Sequence, residues 1–288
     1  MEYALEISNL VKNYSDFLLD NVNLKLPKGS IMGFIGENGA GKSTTIKAIL
    51  NIIKKDSGEI RILGMNASDP ENEIQIKQQV GVVFDENHFH DLLNAKGVNR
   101  FMNKIYPNWN QELFFQYIKK FQIPENKFIK EFSRGMKMKF NISVALAHEP
   151  KLLLLDEATS GLDPVVRNEI LDVFLDFIQD EEHSILISSH ITSDLERICD
   201  YITFVHEGKI ILSKTKDELL ENFHIFHCSK ESLTELDSSI IRGIHENRFA
   251  CDVLIELEPN MLEQYKNYII DRVSLEDIML YYGKEQLL

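Results

Sequence analysis

Residues 30–44 read SIMGFIGENGAGKST, an apolar run that leads directly into a glycine-rich loop ending in lysine, serine and threonine. Gly36, Gly41, Lys42 and Ser43 match the pattern G-x-x-x-x-G-K-[ST], which follows a strand and opens a helix. Such a loop turns its backbone N–H groups towards phosphate oxygens, and the lysine adds a cation beside them. The alternative is a glycine-rich turn that precedes a lysine by chance. The stretch therefore predicts a buried strand, a phosphate-binding loop and a helix start.

The residues around this loop predict a mainly parallel sheet with crossover helices. Short alternating runs near 5–10 and 21–26 are typical of strands, and apolar residues between 46 and 53 recur at helical spacing. Two continuous apolar runs, in LLLLDE at 152–157 and SILISS at 184–189, indicate strands that are buried on both faces. Buried strands alternating with helices predict an α/β fold. We expect the strand that ends LLLLDE to neighbour the strand of the loop.

Two further regions complete the predicted organisation. Residues 92–148 are mostly helix-patterned, and we expect their last helix to end at Pro150. The segments YITFV and KIILS flank the turn HEGK and predict a hairpin. From about residue 222 the strand and helix signals become weaker. This change predicts a small α+β appendage whose last helix is capped by Ser274.

Composition excludes several classes of protein. The 288 residues carry a formal net charge of −14, with 44% hydrophobic and 26% charged residues, as in globular proteins. The acidic balance argues against nucleic-acid binding, which requires a basic surface. Three widely spaced cysteines without a CxxC pair argue against a zinc site or a disulfide scaffold. No apolar run approaches the roughly 20 residues that span a bilayer, so we expect any membrane role to depend on a partner.

Polar side chains at the ends of the buried strands are candidates for catalysis. Asp156 and Glu157 end LLLLDE, where a buried carboxylate pair is costly unless it has a function. Asp156 suits a Mg²⁺ site and Glu157 suits polarisation of an attacking water, although such a pair is also typical of a helix cap. His190, which follows SILISS, suits contact with a γ-phosphate, and Tyr14 suits stacking on a base. Each of these two is equally explained, on its own, as a packed or surface residue.

A second phosphate-binding pattern is present at 131–140, EFSRGMKMKF. Ser133, followed by Gly135 and a basic helical pattern, predicts a helix start whose free backbone N–H groups suit an anion. A helix start that serves only the fold is the alternative. The chain thus carries two predicted phosphate cradles but a single lysine loop.

Taken in order along the chain, these motifs resemble those of the ATP-binding subunits of ATP-binding-cassette (ABC) transporters. The motifs are Tyr14, GENGAGKST at 36–44, the acidic turn FDEN at 84–87, FSRGM at 132–136, LLLLDE, SGLD at 160–163 and SSH at 188–190. The resemblance covers about residues 1–215. It implies a P-loop NTPase (RecA-like) core with an antiparallel β subdomain and an inserted helical subdomain at about 88–150. We expect a nucleotide-binding domain at 1–221 and an accessory domain at 222–288.

The resemblance also implies a role for each matching residue. The residues that it places at ATP are Tyr14, which stacks on adenine, then Gly36, Asn38, Gly39, Ala40, Gly41, Lys42, Ser43, Thr44, Ser133, Gly135 and Asp163. Those that it places at Mg²⁺ are Ser43, Asp85 and Asp156, with Glu157 as catalytic base and His190 as switch histidine. In this family the signature helix of one subunit closes on the nucleotide of another. Two ATP molecules in a dimer would therefore account for two cradles on one chain. A homodimer and a pairing with a different cassette subunit are equally compatible with the sequence.

Several residues depart from the usual pattern of the family. The signature usually has glycine where Arg134 stands and glutamine where Met136 stands, and Glu37 replaces a common proline. Because Gly135 is kept, we expect an intact cradle whose affinity or orientation Arg134 can alter. A metal-sensing glutamine usually occupies the position of Asp85. A carboxylate there still suits Mg²⁺ directly or through water.

The complete motif set predicts an ATPase that drives export of a peptide, drug or other amphipathic cargo through a separate membrane permease. FSRGM and the C-terminal SLEDIMLYY resemble export subunits of Gram-positive bacteria. We expect the chain at the cytoplasmic face of the membrane, with the permease contacting the region of Asp85–Asn87. A soluble cassette ATPase acting on ribosomes or chromosomes is the alternative, disfavoured by the single cassette and the acidic charge. A non-hydrolysing nucleotide sensor is disfavoured by the presence of Glu157 and His190.

Overall fold

The computed structural model describes residues 2–86, 89–246 and 250–282, and within these ranges the strands form three sheets. The strands of the first sheet are β1 (Tyr3–Asn13), β2 (Leu18–Pro27), β4 (Ser57–Ile62) and β5 (Met65–Asn66). The strands of the second are β3 (Ile31–Ile35), β6 (Val80–Val83), β7 (Leu152–Asp156), β8 (Ser184–Ser189), β9 (Tyr201–His206) and β10 (Lys209–Thr215). Those of the third are β11 (Phe223–Cys228), β12 (Ile241–Glu246), β13 (Cys251–Glu256) and β14 (Ile269–Arg272).

Helices connect these strands. They are α1 (Lys42–Ile49), α2 (Glu73–Gln79), α3 (Ala95–Ile105), α4 (Gln111–Lys120), α5 (Arg134–Leu146), α6 (Pro164–Phe177), α7 (Thr192–Ile198), α8 (Lys216–Asn222), α9 (Lys230–Leu233) and α10 (Leu275–Tyr282). Single 3₁₀ segments lie at Ile129–Glu131 and Pro259–Tyr265. The helix-patterned stretch after residue 92 is thereby confirmed as α3, α4 and α5. In the described ranges no helix has both the length and the apolar composition to cross a bilayer.

The second sheet is parallel except at one edge, and it is buried on both faces. Its order is β10-β9-β3-β8-β7-β6, and the predicted hairpin is the antiparallel pair β9 and β10. Ile31 and Ile35 belong to an apolar cluster on the face covered by α3–α6, whereas Met32 and Phe34 belong to a second cluster shared with the first sheet and α1. Burial on both faces explains why these strands are continuously apolar. The α/β prediction is confirmed.

The position of β7 in this sheet differs from our expectation. We expected β7 to neighbour β3, but β8 lies between them and pairs with both. Parallel strands are joined by connections that cross over the sheet through a helix. The order of the motifs along the sequence therefore does not determine which strands are neighbours in the sheet. The carboxyl end of β8 therefore lies between the phosphate loop and the two carboxylates.

Two helices are shorter than the sequence pattern predicts. The apolar spacing extends to Ile53, but α1 ends at Ile49 because Asn51 adopts a left-handed conformation with φ 54°. Likewise α5 ends at Leu146, before the proline that we expected to end it, and Glu149 has φ 52° in the intervening turn. In both cases a left-handed residue ends the helical conformation before the apolar pattern or the proline does.

The third sheet has an apolar cluster of its own and is antiparallel, in the order β12-β13-β11-β14. Its last helix, α10, packs towards α7, and the backbone N–H of Leu275 donates to Glu196 Oε1 at 2.6 Å. Ser274 caps α10 as predicted, since its Oγ accepts from the N–H of Asp277 at 3.1 Å. The domain boundary at 221/222 stays a prediction, and residues 283–288 lie outside the described ranges.

Candidate functional site

A cavity of about 410 Å³ lies where β3 leads into α1. Its lining consists of Tyr14, Asp16, Phe17, Glu37, Asn38, Gly39, Gly41, Lys42, Ser43, Thr44 and Glu157. The structure thus brings the predicted adenine-stacking residue, most of the phosphate loop and one strand-end carboxylate to a single cavity. Gly36 and Ala40 belong to the same loop but do not line the cavity.

Close packing of the loop explains its glycines. A side chain at Gly36 would overlap the carbonyl oxygen of Val205. Gly41 caps α1 with φ 110°, a left-handed conformation that other residues adopt only with strain. The first turn of α1 contains no acidic residue. Its free backbone N–H groups, at the positive end of the helix dipole, therefore suit a phosphate.

The Lys42 side chain is buried inside the loop, with only 6% of its surface exposed. Its Nζ donates to the carbonyl oxygen of Gly36 at 2.7 Å and to that of Glu37 at 3.2 Å. The same Nζ lies 3.6 Å from Glu157 Oε1. A buried cation is stable only with such partners, and the loop places it beside the N–H groups that would hold phosphate oxygens.

The end of β7 presents its two carboxylates to different partners. Asp156 is buried, and its Oδ1 accepts from Ser188 Oγ at 2.6 Å. Glu157 turns away from the strand with φ 54°, and its N–H donates to the carbonyl oxygen of Ser188 at 3.1 Å. A non-glycine residue in this conformation costs on the order of 1–3 kcal/mol, and such strain is found mainly at functional sites.

The Glu157 carboxylate is held between a histidine and a lysine. Its Oε2 lies 2.7 Å from His190 Nδ1, while its Oε1 is buried without a hydrogen-bond partner although Lys42 Nζ is 3.6 Å away. An oxygen with an unused lone pair at the edge of a phosphate-binding cavity suits acceptance of a proton from water. His190 is suited to orient this carboxylate.

The remaining predicted nucleotide ligands lie at the starts of α5 and α6 and do not line the cavity. Ser133 Oγ accepts from the N–H of Met136 at 3.3 Å, and Asp163 Oδ1 accepts from the N–H of Val165 at 3.1 Å. A Cβ at Gly135 would lie 3.3 Å from Val166 Cγ1, so the two helix starts are side by side. One chain therefore does not bring its two predicted phosphate cradles to the same cavity.

Asp85 also lies apart from the cavity. Its Oδ1 accepts from Arg134 Nη2 at 2.6 Å, at the start of α5. Asn87, the other end of the predicted contact region, lies outside the described residues. The predicted role of Asp85 as a metal ligand stays a prediction, and the structure gives this carboxylate an arginine partner.

Comparison with known proteins identifies the family. A family profile described as "ABC transporter" matches residues 19–160. The chain is 35% identical over 216 residues to the lantibiotic transport ATP-binding protein SrtF of Streptococcus pyogenes, covering 74% of this chain and 91% of that one. The chain belongs to the ATP-binding proteins of ABC transporters. Like the other members, this ABC subunit binds and hydrolyses ATP.

Two further similarities agree with this assignment. The ABC subunit is 34% identical over 214 residues to the bacitracin transport ATP-binding protein BcrA of Bacillus licheniformis, covering 73% of this chain and 69% of the relative. A solved structure described as the ATP-binding subunit of an ABC transporter superposes with a TM-score of 0.69 at 27% identity. That match covers 75% of this chain and 91% of the solved one.

Sequence reasoning missed some residues at the site of this ABC subunit. Ser188 contacts both carboxylate-bearing residues of β7, and its position in SSH, two residues before the histidine, is the signal that would have found it. Phe17 and Asp16 line the cavity next to Tyr14. Their only signal is proximity to Tyr14 in the sequence, because the reversal between β1 and β2 places the segment beside the loop.

Proposed function

We propose that this ABC subunit powers export of an amphipathic peptide or similar compound through a separate membrane permease, at the cytoplasmic face of the membrane. SrtF is named for lantibiotic transport and BcrA for bacitracin transport, and both names support the proposed class of cargo. Those names also favour transport over action on ribosomes or chromosomes. The cargo itself is handled by the permease, so its chemistry is not encoded in the cavity of this chain.

The observation that carries the hydrolytic role is the Glu157 carboxylate, held between His190 and Lys42 on a left-handed backbone. Lys42 and the N–H groups at the start of α1 hold the β- and γ-phosphates. Glu157 accepts the proton of the attacking water, and His190 keeps the carboxylate oriented. Tyr14 stacks on the adenine ring at the exposed end of the cavity.

The residues around Lys42 fit a magnesium ion. The hydroxyl of Ser43 and the carboxylate of Asp156 are hard oxygen donors, and Ser188 Oγ fixes the orientation of Asp156 at 2.6 Å. When bound, Mg²⁺ neutralises charge that develops on the phosphate oxygens. Ser43 and Asp156 are the residues that we propose to hold it. Asp85, the third predicted ligand, instead accepts from Arg134 outside the cavity.

We further propose that a second ABC subunit completes each nucleotide site. Ser133, Gly135 and Asp163 lie at helix starts outside the cavity, as expected if they contact a nucleotide bound to another chain. ATP presents a γ-phosphate for the start of α5 to bind, and ADP does not. ATP then stabilises the dimer, and hydrolysis releases it. The partner is a second copy of this chain or a different cassette subunit.

The permease is proposed to contact the groove beside β6. A cavity of about 230 Å³ lies there between β6, α3 and α5, with a mostly apolar lining that includes Val82, Met102 and Tyr106. His148 also lines it, and burial lowers the pKa of His148 below its ordinary value, which favours the neutral imidazole. Phe84 and Glu86, which flank Asp85 in the sequence, also line the groove. A short amphipathic segment of the permease is the occupant that this lining suits.

A reconstitution experiment tests the transport role. The tagged chain is expressed together with any multi-spanning membrane protein that the neighbouring genes encode, extracted in mild detergent and reconstituted in vesicles. We expect the two proteins to copurify, and ATP hydrolysis to rise when an amphipathic peptide is added. Recovery of the chain with ribosomes, together with a hydrolysis rate that is independent of the membrane protein, would contradict the proposal.

A further inference from the structure

Arg134 stands at an electrostatically unfavourable position. It is the first residue of α5, directly after the capping Ser133, and the first turn of α5 contains no acidic residue. The positive end of a helix dipole repels a cation there. The side chain finds its compensation elsewhere, because its Nη2 donates to Asp85 Oδ1 at 2.6 Å. The two residues are far apart in the sequence, so the ion pair joins separate segments of the fold.

The same guanidinium also lies against a third segment. A Cβ at Gly161 would lie 2.5 Å from Arg134 Nη1 and 2.8 Å from its Cζ. Gly161 also has φ 66°, so the backbone conformation at this position favours glycine. The guanidinium, as the far end of a flexible side chain, would have to move to admit a Cβ. The arginine thus occupies the space that any other side chain at Gly161 would need.

The three segments that meet at Arg134 serve different parts of the proposed reaction. Asp85 follows β6 beside the groove, and Gly161 lies in the loop that runs from Glu157 to Asp163. Arg134 itself starts the helix whose Ser133 is proposed to bind the nucleotide of the partner subunit. A single side chain therefore connects the loop that carries the catalytic base of one site to the phosphate cradle of the other.

We propose that Arg134 is a positioning residue that couples the two nucleotide sites of the dimer, with Asp85 as its anchor. The inference rests on the proposed dimer. Arg134 holds the start of α5 at a fixed place relative to the Glu157–Asp163 loop, so a change in that loop moves the cradle offered to the partner. The pairing also assigns a joint role to two residues that depart from the usual family pattern.

The test measures ATP-dependent dimerisation in a slow-turnover background. Glu157→Gln is the parent, and Arg134→Gln, Asp85→Asn and the double variant are made in it. At saturating ATP we expect each single variant to raise the Kd of the dimer about fivefold to tenfold. The Kd of the double variant should be no higher than that of the more affected single variant. In the background with native Glu157, the Hill coefficient for ATP hydrolysis should fall from about 2 towards 1 in Arg134→Gln.

A matched control separates coupling from the general loss of a surface ion pair. Lys120 and Asp176 form an exposed ion pair at 2.8 Å, away from the site. Lys120→Gln should change neither dimerisation nor the Hill coefficient. An exposed ion pair contributes little to folding, so the melting temperature of the single chain should shift by no more than about 3 °C in Arg134→Gln.

Each other result overturns the inference. If Arg134→Gln weakens the dimer while Asp85→Asn leaves it unchanged or tightens it, Arg134 binds phosphate directly. If neither variant differs from the parent, the ion pair is a surface contact that does not contribute to dimerisation. A parent that remains monomeric with ATP overturns the proposed dimer together with this inference, whereas a dimeric parent with unaffected variants overturns the inference alone.

Discussion

The starts of α1 and α5 are both suited to bind phosphate, yet they are built in opposite ways. At α1, a left-handed Gly41 caps the helix and Lys42 is buried in the loop beneath a cavity of about 410 Å³. At α5, the cap is an exposed Ser133, and the nearest cation, Arg134, is turned aside to Asp85. A site that holds a nucleotide alone needs enclosure and a buried cation. A surface that closes over a nucleotide bound elsewhere needs only exposed N–H groups.

The largest effect is expected from removing the catalytic base of the enclosed site at α1. Glu157→Gln should lower kcat for ATP hydrolysis by about 10²- to 10⁴-fold, because the amide cannot accept the proton of the attacking water. ATP binding should persist, since the lysine and the loop are unchanged. Phosphate release and equilibrium ATP binding are the two measurements. Hydrolysis at the native rate would show that Glu157 is not the base.

The next largest effect is expected from removing the buried cation that distinguishes α1 from α5. Lys42→Ala should raise the Kd for ATP by about 10- to 150-fold, the range for losing a charged hydrogen-bonding partner. Lys47→Ala is the control, because Lys47 is an exposed lysine in the last turn of the same helix. Isothermal titration with each single chain measures both. Equal ATP affinities in Lys42→Ala and Lys47→Ala would contradict the claim that the site at α1 depends on its buried cation.

The smallest effect is expected from changing the charge at the start of α5 while keeping a residue that caps the helix. Aspartate caps helices as well as serine does, so Ser133→Asp should keep the helix while placing a negative charge towards phosphate. ATP affinity of the single chain should stay unchanged, and steady-state hydrolysis should fall at least about tenfold through like-charge repulsion. Ser229→Asp is the control, since Ser229 caps α9 in the same way. A parallel loss of ATP affinity in Ser133→Asp would place α5 at the nucleotide of its own chain.

The enclosed site was the part most readily predicted from the sequence. The strand, the glycine loop and the helix of residues 30–44 are local, so their chemistry is expressed in consecutive residues. The strand order was less accessible, because β8 enters between β3 and β7 from a distant part of the chain. The ion pair of Arg134 with Asp85 depends on the same long-range packing. Neither residue carries a local signal for the other.

The left-handed conformation of Glu157 was also beyond prediction from the sequence. A pattern such as LLLLDE indicates a strand that ends in carboxylates, but it does not indicate how the backbone turns afterwards. In the structure the N–H of Glu157 donates to Ser188, and its carboxylate lies between Lys42 and His190. Arg134 and Asp85 both depart from the family pattern. They could be explained together only after the structure showed that they contact each other.

The central claim is that each nucleotide site takes its loop from one chain and its lid from another. Mixing Lys42→Ala chains with Ser133→Asp chains tests it, because each variant alone has two defective sites. Random pairing makes half of the dimers mixed, and each mixed dimer has one complete site out of two. Hydrolysis should therefore rise above that of both components, up to about a quarter of the native rate. If the native chain hydrolyses ATP and the mixture remains as inactive as its components, loop and lid belong to the same chain and the account is wrong.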